Sequence, residues 1–214
     1  MDFLRITVYV LSLGGALLIF LFRNRMTPAF LATGWFLLFA GLSQLAAFLL
    51  IQVNGSNIVF YNSTLLVHYA LLYAVLINLL KLPPYRRKIN AVFFAGLIGV
   101  CLFLIEAYTD HFASRSLTII NFVVIAGSLL FFYNLLKIPD NLAITRQGKF
   151  WIGAALLVYH IASFTLWLMY ELMSQVENSQ IHALMGYILT IIHYSLLVIA
   201  TIVQINNFHY AERK

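Results

Sequence analysis

Seven apolar runs divide this chain, and short polar stretches separate them. The runs cover Phe3–Phe22, Pro28–Ile51, Ile58–Leu80, Ile89–Tyr108, Leu117–Leu136, Phe150–Leu172 and Ile181–Asn206. None alternates apolar and polar residues as a barrel strand does. Each is close to the ~20 residues an α-helix needs to cross hydrocarbon, and a helix satisfies its own backbone where lipid offers no partners. The pattern predicts an all-α integral membrane protein, with residues 1–214 forming a single seven-helix transmembrane bundle. The opening residues MDFLR lack the basic start of a signal peptide, and no Ala-x-Ala site follows. The first run is therefore read as a retained span.

Composition agrees with the pattern. Hydrophobic residues make up 63% of the 214, charged residues only 9%, and the mean hydropathy is +0.92. A soluble domain needs a more polar surface than this. The formal net charge is +6, which in a soluble protein would suggest nucleic acid. Here the basic residues lie in short connections between apolar runs, so they read as topology signals, and no nucleic-acid partner is expected. Arg23 and Arg25 follow the first run; Lys81, Arg86, Arg87 and Lys88 follow the third. Lys137, Arg146 and Lys149 follow the fifth, and Arg213 and Lys214 end the chain. Only Arg5 and Arg115 fall on the opposite side. The positive-inside rule then places the N-terminus outside and the C-terminus in the cytoplasm, with a bacterial inner membrane as the expected location. Pro28, Pro83, Pro84 and Pro139 all sit at the cytoplasmic boundary, where proline suits a helix start or the stretch just past an end.

Finer features concern packing. Tyr61, Tyr108, Trp167 and Tyr170 mark the outer interface, and Tyr85, Tyr133 and Trp151 the inner one. Ala91, Ala95 and Gly99 recur every four residues, a spacing that invites close approach of a neighbouring helix. Cys101 is the single cysteine, so no intrachain disulfide forms. The stretch Asn78–Pro83 (NLLKLP) echoes Asn134–Pro139 (NLLKIP), which either a duplicated hairpin or a shared way of ending a helix at the cytoplasmic face explains.

The chemistry is concentrated in three mid-span histidines. His68, His160 and His193 each lie ten to twelve residues from the outer end of their runs. At about 1.5 Å per residue their depths agree to within a few ångströms. Intramembrane ionisable residues are functional candidates, and imidazole is the commonest metal ligand. Convergence of the three on one metal ion, zinc above all, or of two of them on a haem iron, is the sharp expectation; neutral imidazoles bonded to neighbouring helices are the plain one. Gly153 and Gly186 lie seven residues before His160 and His193, on the same faces, and leave room for a close helix or a cofactor. Glu171 and His182 share those faces nearer the outside and, with Tyr61, complete the residues expected to shape access. Tyr69, Tyr159 and Tyr194 adjoin the histidines but point about 100° away, so they are expected to pack or to bond between helices. The outer side nets minus three, which either draws cations or simply reflects lysine and arginine being kept inside. No catalytic residue is assigned: the last run has no lysine for a retinal Schiff base, and no Walker loop or GxSxG elbow occurs.

The layout, with NLLKIP at Asn134–Pro139 and Lys149-Phe-Trp151 opening the sixth run, resembles small bacterial seven-span membrane proteins and the membrane sensory domains that precede some histidine kinases. The resemblance implies a receptor-like or sensor-like module that binds a small ligand or metal between helices three, six and seven. Because no kinase follows within this sequence, it also implies a separate signalling protein at the cytoplasmic face. The membrane histidines are similar to those of zinc-dependent hydrolases of the adiponectin-receptor and alkaline-ceramidase kind. The Ser-x3-His and His-x3-His spacings of those enzymes are missing: Ser63 precedes His68 by five. A haem electron-transfer protein and a ligand-free structural partner subunit are the remaining alternatives.

Overall fold

Each apolar run becomes a helix. The computed structural model describes residues 2–54, 57–80, 83–107, 113–137, 144–173 and 179–212; within them, the side chains of 54, 83–88, 106–107, 169–173, 179–182 and 208–212 fall outside the description. Among these residues the chain forms α1 (Asp2–Leu21), α2 (Pro28–Asn54), α3 (Ile58–Leu80), α4 (Pro83–Ala107), α5 (Ser114–Lys137), α6 (Gly148–Met173) and α7 (Ser179–Glu212). Two 3-10 turns, Arg23–Arg25 and Ile144–Arg146, lead into α2 and α6, and no strand occurs among the described residues. Among the described residues six of the helices, all but α4, are long and apolar enough to cross a membrane, and the apolar stretch described in α4 is Ile89–Ile105. The helix itself runs from Pro83 to Ala107, so the basic residues Arg86, Arg87 and Lys88 fall within its first turns. Pro28 opens α2 as predicted, and the Thr27 carbonyl accepts from the amides of Phe30 and Leu31.

The helices close into a ring. In order they run α1, α2, α3, α5, α6, α7 and back to α1, while α4 packs outside the ring against α5 and α3. The outward surface stays apolar: Phe3, Val10, Leu17, Leu21, Ile98, Leu102, Ile105 and Leu136 are among its exposed side chains. A bundle apolar on its outside as well as within belongs in lipid rather than water. An all-helical integral membrane protein is what these features define.

Inside the ring, packing is tight toward the end that carries Arg25 and Arg146. Phe30, Leu37, Ile152, Leu156, Leu197 and Ala200 are fully or almost fully buried there. Gly153 is part of this packing: a Cβ on it would come within 2.6 Å of two atoms of the Phe131 ring. The room predicted at Gly153 thus exists, and a ring from α5 fills it. The small-residue face of α4 behaves differently from its prediction. Ala91 and Ala95 are exposed, and only Gly99 meets a neighbour, Ile119 of α5. The close approach on α4 occurs at Gly96 instead, against the Tyr69 hydroxyl of α3. That hydroxyl donates to the Phe93 carbonyl at 3.0 Å, and the rings of Tyr69 and Tyr73 both stack on Phe93. The Asn78–Pro83 echo is not matched in hydrogen bonding: Asn78 Nδ2 donates to the Ala74 carbonyl, while Asn134 Nδ2 is buried with no partner among the described residues.

Candidate functional site

The three histidines separate into a pair and a satellite. His160 on α6 and His193 on α7 are both buried, with ring centres 6.3 Å apart and ring planes at 79°. His68 on α3 is half-buried. The ring of Phe36, from α2, sits edge-on to His68 at 5.9 Å and to His193 at 6.0 Å, and Phe39 packs on His68 at 5.0 Å. Among the described residues no group of three or more His, Cys, Asp or Glu side chains stands close enough to hold a metal ion.

Each imidazole is fixed through the same nitrogen. His193 Nδ1 donates to the Ala155 carbonyl at 3.0 Å, and His68 Nδ1 to the Thr64 carbonyl at 3.1 Å. A carbonyl only accepts, so both rings carry their proton on Nδ1. His160 Nδ1 lies 2.7 Å from Asn121 Oδ1, and Asn121 Nδ2 donates to Ser163 Oγ at 3.3 Å. With its NH2 on Ser163, the amide turns its oxygen to the imidazole, which again places the proton on Nδ1. The Nε2 atoms of His160 and His193 are then lone-pair acceptors, and both are buried with no partner among the described residues. Anchoring one ring nitrogen to oxygen is how proteins prepare the other as a ligand. Two imidazoles sharing a tetrahedral metal through Nε2 at about 2.0–2.1 Å bring their ring centres to roughly 5 Å. The observed separation is wider. Haem fits less well: an axial pair needs a slot one porphyrin wide, and these rings are packed against Tyr159, Phe36 and Tyr194.

Above the pair, toward the end that carries the N-terminus, the ring is hollow. A cavity of about 360 Å³ lies among α1, α2, α3, α6 and α7, within the range of about 300–1,000 Å³ usual for small-molecule sites. Its floor includes Tyr159 and Ser163. Tyr159 lies over His193 with ring centres 4.5 Å apart, and Thr190, which donates to the Gly186 carbonyl, lines the same cavity. Ser163 holds Asn121, and through it His160. The cavity therefore ends one side chain away from each histidine of the pair. Gln44, on its wall, donates to the Tyr194 hydroxyl at 3.3 Å. Toward the mouth stand Arg5, Tyr9, Tyr61 and Tyr187. Arg5 stands near Tyr187 on the cavity wall, stacks over Phe48 at 4.4 Å and approaches Asp2 at 3.5 Å.

Two residues expected to shape access do line this cavity, Tyr61 and Gly186. A Cβ on Gly186 would meet no other side chain within 4 Å. Gly153 lies elsewhere, in the packed half. The side chains of Glu171 and His182, and most of the outer acids, lie outside the described residues. The tyrosines beside the histidines bond or pack between helices as expected. Arg5, Tyr9, Gln44, Asn57, Ser163 and Thr190 escaped sequence reasoning; the available signal was Arg5 one turn into the first run with Tyr9 four residues on, and Ser163 three residues after His160.

Comparison of the chain with protein-family models, curated proteins and solved structures finds no match.

Proposed function

We propose that this chain is a receptor-like or sensor-like membrane module that takes a small ligand into the cavity bordered by α3, α6 and α7. In this reading α4 completes seven spans, the N-terminus is outside, and the membrane is a bacterial inner membrane. A ligand seated on Tyr159 and Ser163 bears on His193 and His160, and α7 carries the change to a separate signalling protein at the cytoplasmic face. The observation that supports this reading is the 360 Å³ hollow, apolar in most of its wall but set with polar side chains, inside a ring of helices whose opposite end is closed by Phe30, Ile152 and Leu197; the smaller apolar cavity of about 210 Å³ beside α4 lacks such polar groups apart from Tyr69 and Tyr73. Anything that binds the folded state alone raises its melting temperature. A thermal-shift screen of small polar and amphiphilic molecules, run on wild type and on Gly186→Phe, tests it. Ligands that stabilise wild type and lose their effect in the filled variant are expected. If none does so, the chain is a structural partner subunit instead.

A second reading has its own observation, the two anchored imidazoles with unpartnered Nε2 atoms. They supply two ligands for a transition metal. A catalytic zinc uses three protein ligands and an open position, so two imidazoles fit a bound ion better than a zinc hydrolase, and even that ion requires the rings to close from their 6.3 Å separation. Metal analysis of purified protein and of His193→Ala decides it: stoichiometric metal lost in the variant supports the reading, and metal-free wild type removes it.

A further inference from the structure

We infer that the ligand of the outer cavity is a small carboxylate with an aromatic or apolar body. The inference rests on the ligand-binding reading above and names the chemistry of its ligand. Arg5 is the one charged residue among the described residues that line the cavity. Its guanidinium lies over the face of Phe48 at 4.4 Å, with Tyr187 beside it on the cavity wall. Arginine has five N–H donors in a planar fork that matches a carboxylate, and a neighbouring hydroxyl such as that of Tyr187 can take only part of it. The pair with Asp2 does not neutralise it: Asp2 is 88% exposed, the separation is 3.5 Å, and such surface pairs are weak. A carboxylate arriving from the cavity meets the same fork in a less hydrated place.

The remaining wall suits the rest of such a molecule. Phe48, Leu166, Trp167 and Leu189 give it apolar and aromatic surface. Tyr61, Asn57 and Thr190 add groups able to hydrogen-bond a polar substituent. Tyrosine-rich cavities are also the places where ammonium ligands bind, over ring faces. Here the guanidinium already occupies the Phe48 face, and its charge repels a second cation. Among the described residues the cation in the cavity wall, rather than the acidic balance of the whole outer side, sets the sign of the ligand.

Three probes of one shape separate the charges: phenylacetate, 2-phenylacetamide and 2-phenylethylammonium. Binding to the protein in phosphatidylcholine nanodiscs is read by saturation-transfer NMR, with the melting curve of each variant as the folding control. Wild type is expected to prefer phenylacetate over the amide by about tenfold or more, the scale of a charge-assisted hydrogen bond. Arg5→Gln should erase that preference, and Arg5→Lys should retain part of it. Competition by laurate marks a membrane-derived acid as the source, and failure to compete marks an aqueous one; either keeps the carboxylate. Equal or tighter binding of the amide or the ammonium, or a preference that survives Arg5→Gln, overturns the inference. If such binding is lost in Gly186→Phe, the cavity remains a ligand site and only its anion preference falls. If no probe responds to Gly186→Phe, both fall.

Discussion

Gly153 and Gly186 occupy equivalent places, each seven residues before a histidine of the buried pair, yet their surroundings are opposite. Gly153 is closed over by the Phe131 ring, and Gly186 looks onto open space at the cavity wall. The same small residue on two adjacent helices serves closeness in one half of the bundle and emptiness in the other. The packed half holds the ring of helices together. The hollow half leaves Tyr159, Ser163 and Gln44 reachable from the end that carries the N-terminus. The histidine pair lies at the border between them, with its proton-bearing nitrogens tied to Ala155 and Asn121 and its lone pairs unpartnered.

The largest expected effect on stability comes from Gly153→Leu. Its side chain would have to displace Phe131, and overpacking of this kind costs typically about 1–3 kcal/mol, read as a lowered melting temperature in detergent. Next is Asn121→Leu, which has a similar shape but no amide. It leaves the His160 Nδ1–H buried without an acceptor, and such a loss costs about 1–3 kcal/mol. Adding Ser163→Ala should then cost less than it does alone, since its partner is already gone; full additivity of the two in the melting curves would contradict the Asn121 link.

Much of the fold is legible in the order of residues alone. The seven runs become seven helices because lipid admits few alternatives to a self-satisfied backbone, and Pro28 opens α2 where a proline is tolerated. The buried histidine pair is legible from depth. The third histidine is not separable from it in sequence, because its separation depends on Phe36, a residue on α2 with nothing to distinguish it among the many phenylalanines. The cavity is mostly illegible. It is assembled from single polar residues on five helices, each ordinary in its own run, and Arg5 reads there only as a charge bearing on topology. On α4 the regular small-residue spacing points to the wrong face, since the close contact forms at Gly96, one residue on from Ala95.

A smaller effect is expected from Tyr69→Phe, which removes the hydroxyl that donates to Phe93 across α3 and α4. Hydrogen bonds between membrane helices average about 0.6 kcal/mol, and the variant should melt only slightly earlier. Gly186→Phe should move stability least of all, because a Cβ there meets nothing within 4 Å and the ring beyond it enters the cavity. A drop comparable to that of Gly153→Leu would erase the contrast between the two halves.

The contrast is tested most directly by the reach of water. In a Cys101→Ser background, cysteines are placed one at a time at Gly186 and Thr190 on the cavity wall and at Ser128 in the packed half, where the serine is fully buried. Intact cells are then treated with a membrane-impermeant thiol reagent. Rapid modification at 186 and 190 with none at 128 is the predicted result. Cysteines at 186 and 190 that stay as unreactive as the one at 128 would contradict the account.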